Sequence, residues 1–195
     1  MAPKLALGAM MSSDAGAFDT RADANMARLI RARRILARYN ATGPDETVLR
    51  RQVLEDLLDD VGEGVWIEPP FFCDYGDNIR LGAGVFINLN CVILDGAKVE
   101  IGAGTLLGPG VQIYATSHPL DPDARIYDKG GVPAYRTVAA PVTIGEKVWI
   151  GGGVLILPGV EIGQGTTVGA GSVVTESLPE RVFAAGNPAR ILRQL

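Results

Sequence analysis

The sequence predicts a mainly β protein built as a parallel β-helix, a hexapeptide solenoid with an N-terminal helical segment and a long protruding loop. Three observations point there. Across residues 142–175, aliphatic side chains recur at Ile144, Ile150, Ile156, Ile162, Val168 and Val174, an interval of six that fits neither the 3.6 period of a helix nor simple strand alternation. The same beat runs upstream as Leu81, Ile87, Ile93 and then Ile101, Leu107, Ile113, which groups the marks into four coils of three short strands. Glycine follows the mark in the first strand of every coil (Gly82, Gly102, Gly145, Gly163) and in the second strand of three (Gly108, Gly151, Gly169), with Asn88 in the remaining place. The marked aliphatics should point inward and stack at about 4.8 Å per coil into a narrow apolar core. The glycines beside them should allow the tight or left-handed backbone of the corners.

Taken in order, residues 1–62 read as a leader and a helical cap, 63–178 as the solenoid with its loop at 115–141, and 179–195 as a C-terminal tail. The leader, residues 1–17, is small and weakly patterned, as a mobile terminus would be. Over residues 23–39, Met26, Leu29, Ile30, Ile35 and Leu36 lie at helical spacing with five arginines between them. A second helix is expected to open at Thr42, with Pro44 and Asp45 in its first turn, and to carry Leu49, Val53, Leu54, Leu57 and Leu58. This pair has an apolar face to bury, and the open end of a solenoid needs a cap. Residues 65–81 should enter the solenoid as an irregular first coil. Between Ile113 and Ile144 the beat stops for thirty-one residues rich in Pro, Asp and Gly, a long surface loop of the kind that is usually functional or disordered.

Composition narrows the function. A net charge of −4 and a pI near 5.0 argue against a nucleic-acid partner held by bulk charge. No run of eighteen apolar residues exists and no basic segment precedes an apolar one at the N-terminus, so neither a membrane span nor an export signal is expected, and the expected compartment is the cytoplasm. Cys73 and Cys91, the only cysteines, both fall inside the repeat and read as small buried thiols before a disulfide or a reactive site.

His118 is the only histidine. A catalytic zinc site needs three imidazoles or a comparable His and Cys set, so no metal is expected. One histidine can serve as a general base near neutral pH, or can simply be a surface residue before a proline. Asn88 can be read as a residue tolerant of left-handed backbone, or as an amide that hydrogen-bonds a substrate or a developing oxyanion. Counting places Asn88, Gly108, Gly151 and Gly169 at one corner of successive coils. The runs Gly151-Gly152-Gly153 and Gly169-Ala170-Gly171 widen that edge, so a long thin ligand could lie there against backbone, although tight coil turns need the same glycines.

Five segments carry a family resemblance: CDYGDNIRLG from Cys73, NCVILDG from Asn90, YATSHPLDPDAR from Tyr114, PVTIGEKVWIGGGVLILPGVEIG from Pro141 and AAGNPARI from Ala184. With them the chain resembles the maltose and galactoside O-acetyltransferases of the hexapeptide-repeat acyltransferase family, from the arginine-rich helix to the C-terminus. The resemblance implies a left-handed β-helix, an exception to the right-handed crossover rule, assembled as a homotrimer with acetyl-CoA between subunits. It implies that His118 is the catalytic base and that Asp19, Asp74, Asn88 and Asp95 face the acceptor. It places Gly152, Ala170, Thr175, Arg190 and Arg193 at the coenzyme, with Trp149 as a packing wall; guanidinium suits a nucleotide phosphate. The chain departs from the pattern in a longer catalytic loop, in Glu176 where relatives often carry Lys, in Ala134 where a Glu is common, and in Phe18 in place of Tyr.

The expected reaction is therefore acetyl transfer from acetyl-CoA to a hydroxyl of a sugar or glycoside, with Asn88 or a backbone N–H steadying the oxyanion. The rivals are an amine or antibiotic acceptor on the same scaffold, and a non-catalytic assembly module. Asn88 and His118 should sit near different corners, roughly 15–20 Å apart at about 3.3 Å per residue, so either the loop folds back that far or the site is shared between subunits, and the trimer that the resemblance implies agrees with the second.

Overall fold

The computed structural model describes residues 18–195, so the leader expected over 1–17 lies outside the described residues. The chain winds as a parallel β-helix whose short strands stack into three parallel arrays. All twelve marked aliphatics are buried. So are the residues two positions before them, among them Val85, Val111, Val148 and Val154, because side chains two apart in a strand share a face. In the stretch expected to be an irregular first coil the strands keep the beat, and the irregularity is confined to the segment after Cys73. Val61, Ile67 and Cys73 stack on Leu81, Ile87 and Ile93 at the same interval of six, a beat obscured in the sequence because its third member is a cysteine. A partial last coil follows, with Leu178 bridged to Ile162 and Ala184 set against Val168.

The glycines beside the marks have a different cause from the one expected. None of them has positive φ; each is required because the next coil is too close. A Cβ on Gly108 would sit 2.5 Å from the Gly152 nitrogen, and one on Gly151 2.5 Å from the Ala170 nitrogen, contacts that only a missing side chain relieves. Left-handed backbone falls two residues later, at Gly84, Gly104, Gly110, Gly153, Gly165 and Gly171, and at Asn90 and Lys147. The left-handed asparagine is thus Asn90, and backbone tolerance does not account for Asn88.

The outward columns differ from face to face. On the first array Asp60, Arg80, Glu100, Thr143 and Glu161 stand in register. On the second the column is Trp66, Phe86, Leu106, Trp149, Thr167 and Phe183, and on the third Phe72, Val92, Gln112, Leu155 and Val173. One face is charged and two are largely apolar, with Trp66, Phe72, Leu106 and Trp149 exposed.

Helices Asp23–Asn40 and Thr47–Leu57 close the first-coil end of the solenoid, burying Leu36, Tyr39, Val53, Leu54 and Leu57 in one core with Val61, Ile67 and Phe71. Polar bonds fix the seam: Tyr39 Oη donates to the Ile67 carbonyl at 2.6 Å, and the Asn40 amide pairs with both backbone groups of Phe71 at 2.9 Å. The second helix starts five residues after Thr42. Residues 43–46 form a turn in which the Gly43 N–H donates to Glu46 Oε2, while Thr42 donates to the Tyr39 carbonyl and accepts from Arg50 Nε. Thr42 therefore closes the first helix.

The long interruption is also ordered. It contains strand Thr116–Ser117, a helical turn at Pro122–Arg125, strand Ile126–Asp128 and strand Pro133–Ala139. The last of these is the centre of a small antiparallel sheet that pairs with Phe18–Asp19 from the start of the described chain.

Candidate active site

The third corner of the coil, where the third array turns into the first, departs from the period. Cys73 to Leu81 and Ile93 to Ile101 span eight residues instead of six, and the next coil opens here into the excursion that carries His118. The extra residues of the lower coils include Asp74, Tyr75 and Asp95. Asp95 has no exposed surface; its carboxylate accepts from the N–H groups of Asp74 (3.0 Å), Tyr75 (2.8 Å) and Gly76 (2.7 Å). It cannot touch an acceptor, and instead shapes the loop that presents Asp74. Burial pushes the Asp95 carboxyl up to about 6, against the pull of those N–H donors.

Asp74 and His118 line one cleft of about 420 Å³, walled by Phe18, Tyr75, Leu94 and Tyr135 with Thr116, Ser117 and Thr137. Burial raises the Asp74 carboxyl, with Arg33 at 4.0 Å opposing the shift. His118 Nδ1 lies 2.8 Å from the Arg136 carbonyl. A carbonyl only accepts, so Nδ1 carries the hydrogen, and in the neutral imidazole the lone pair is then on Nε2. Asp19 follows Phe18 at the rim. Its carboxylate is held by Lys129 Nζ at 2.7 Å and by the Arg21 N–H, bonds that keep it below the ordinary carboxylate range.

Asn88 is elsewhere. It stands at the second corner, between the two apolar faces, in the column of Gly108, Gly151 and Gly169 (ladder bonds of 2.8–3.0 Å). Its Oδ1 accepts from the Leu89 N–H, and among the described residues its Nδ2 has no partner. Gly152 and Ala170 stack at the same corner through the bond from Gly171 N–H to the Gly152 carbonyl. Trp149 rises from the adjoining second face, half exposed. Arg190 and Arg193 are exposed on the last strand, Arg190–Gln194, which pairs antiparallel with Val182–Ala185 at the end of that face. Thr175 lies one strand further round, beyond Val174, and within a single chain it does not join the others. Cys73 and Cys91 are buried free thiols. Burial raises Cys73 well above its ordinary value and Cys91 to about 11, which removes them as nucleophiles near neutral pH.

The sequence did not single out Thr137, Tyr75 or Tyr135. The eight-residue spacings at the third corner were a usable signal for the Asp74–Asp95 pair; the others reach the cleft through pairings that no local pattern records.

A stack of hexapeptide coils with a glycine-lined edge and a lone imidazole lining a cleft points to a hexapeptide-repeat transferase. Residues 141–176 match the bacterial transferase hexapeptide (six repeats) family, and residues 18–62 match the maltose acetyltransferase hexapeptide capping motif. Nodulation protein L of Rhizobium meliloti is 49% identical over 165 residues, covering 85% of this chain and 86% of that protein. Galactoside O-acetyltransferase of Escherichia coli is 37% identical, covering 85% and 78%. Among solved structures, a maltose O-acetyltransferase from Clostridium difficile superposes with a TM-score of 0.85 at 36% identity, covering 95% of both chains. A hexapeptide-repeat acetyltransferase from Vibrio cholerae complexed with acetyl-CoA superposes at 0.82 with 37% identity, covering 91% and 92%. The chain belongs to the maltose and galactoside O-acetyltransferase group of the hexapeptide-repeat acyltransferases. No helix among the described residues is long and apolar enough to cross a membrane.

Proposed function

We propose that the protein transfers the acetyl group of acetyl-CoA to a hydroxyl of a sugar or glycoside, with His118 as general base, in a cytoplasmic homotrimer whose sites lie between subunits. The observation that carries this reading is the His118–Arg136 bond, which leaves Nε2 as a proton acceptor in a cleft walled by aromatic rings and a carboxylate. Nε2 takes the acceptor proton as the oxygen attacks the thioester carbonyl carbon. The tetrahedral oxyanion then collapses, the C–S bond breaks, and the imidazolium returns the proton to the coenzyme thiolate. No acyl-enzyme is needed, and neither thiol is available for one.

The two apolar faces support the trimer, since exposed aromatics in a continuous column are what a subunit interface covers. Asn88 stands on the corner between those faces, so a neighbour's Asn88 amide could reach a cleft that its own chain cannot supply. Pantetheine would follow the bare edge formed by Gly108, Gly151, Gly152 and Ala170 from the arginines toward Asn88. Mixing His118→Ala and Asn88→Ala proteins under subunit exchange tests the shared site. Random assembly should restore up to about a quarter of wild-type activity. No recovery, with exchange confirmed by mass, would sink the interface reading.

A further inference from the structure

Six polar or charged side chains are buried among the described residues, and five of them are engaged. Thr105 donates to the Gly145 carbonyl and accepts from the Val148 N–H. Thr166 does the same between Pro179 and Val182, and Ser172 between Gly169 and Gly186. Asp95 accepts three backbone N–H groups, and Arg50 donates to Thr42. The exception is Thr137, 4% exposed, whose Oγ1 has no hydrogen-bond partner. A buried hydroxyl left unpaired is costly, and each such group in a folded protein calls for a reason.

Register supplies one. Phe18 stands opposite Thr137 on one side of the strand Pro133–Ala139. On the other side Ser117 stands opposite Val138, so the next residue, His118, falls opposite Thr137. Residues directly opposite on an antiparallel pair share a face, with Cβ atoms about 4.5–5.5 Å apart. Phe18, Thr137 and His118 all line the same cleft. Thr137 is therefore the cross-strand neighbour of His118 in the wall of the cleft, with its unpaired oxygen just beneath the lining, where less than 1 Å² of it is accessible.

We propose that Thr137 Oγ1, uncovered when the acceptor enters the cleft, hydrogen-bonds a second hydroxyl of the acceptor, adjacent to the one His118 deprotonates, and thereby selects vicinal diols over isolated alcohols. This rests on the O-acetyltransferase reading above and adds to it a specificity-determining residue. A site that buries a polar group for its substrate rejects an analogue lacking the partner, because the group is then left unpaired.

The test compares a methyl hexopyranoside with its monodeoxy analogue lacking the hydroxyl beside the acetylated one. For the wild type, kcat/KM should be roughly 10-fold higher for the parent glycoside, the size of one net hydrogen bond. Thr137→Val should bring the parent down to the level of the deoxy analogue, chiefly through KM, while leaving the analogue's constants unchanged. Its melting temperature should be equal or higher, since nothing inside the chain loses a bond. Thr137→Ser should keep the preference. A lowered melting temperature in Thr137→Val, with equal losses for both acceptors, would make the hydroxyl structural and overturn the assignment. A wild type that acetylates both acceptors equally overturns the assignment alone; one that acetylates no hydroxyl acceptor overturns the underlying activity as well.

Discussion

The second and third corners of this solenoid are built on opposite plans. At the second corner, from Asn88 through Gly108 and Gly151 to Gly169, the chain keeps its period of six and exposes almost nothing but backbone, because the adjacent coil leaves no room for a Cβ. At the third corner the period stretches to eight, then opens into an excursion, and side chains with chemistry accumulate: Asp74, Asp95, Tyr75 and His118. Regularity makes a smooth rail, the edge along which the proposed coenzyme arm would lie. Broken regularity makes a pocket, since only chain freed from the stack can turn several different side chains toward one point. A group-transfer enzyme needs both, and two faces whose outward columns are largely apolar lie on either side of the rail.

His118→Ala should produce the largest effect, a loss of acetyl transfer of roughly 10²–10⁴-fold with acetyl-CoA affinity and melting temperature nearly unchanged, as for removal of a positioned base. Steady-state kinetics with calorimetric titration reads both; near-normal turnover would move the proton acceptor elsewhere. Gly151→Ala, on the rail, should do the reverse. Its Cβ would meet the Ala170 backbone at 2.5 and 2.8 Å, so overpacking should cost about 1–3 kcal/mol in denaturant unfolding. Gly110→Asn should be far milder, because Gly110 has φ 68 with nothing within 4 Å and Asn90 adopts φ 61 at the same place one coil earlier. Equal losses for the two would refute crowding as the reason for the glycines beside the marks.

The third corner should also show itself in the pH dependence of stability. Asp95 titrates at about 6 when folded against 3.8 ordinarily, so between those values the folded state binds more protons than the unfolded one. Stability from this group is complete below pH 3.8 and is lost as pH rises through about 6, a change of about 1–3 kcal/mol. Urea unfolding of wild type and Asp95→Asn between pH 4 and 7 should therefore show a difference that shrinks as pH rises. A constant difference would mean that the carboxylate is ionised throughout in the fold.

The sequence by itself determined the parts of this protein that repeat. In a solenoid each residue stacks on its counterpart one coil away, so the inward aliphatics, the bare glycine edge and the separation of Asn88 from His118 by corner are written as a period and can be counted. The helical cap was legible too, through its apolar face. The tertiary structure decided what the period does not encode. Cys73 hid the first coil because a thiol packs like an aliphatic residue but does not read as one. The glycines were correctly located, yet their cause, backbone of the next coil at 2.5 Å, belongs to stacking and not to local φ. Asp95 became a buried anchor through three N–H groups some twenty residues earlier. Thr137 met Phe18 and His118 only when the excursion folded back on the start of the chain, since a cross-strand contact depends on where two distant strands dock and leaves no trace in the spacing of either.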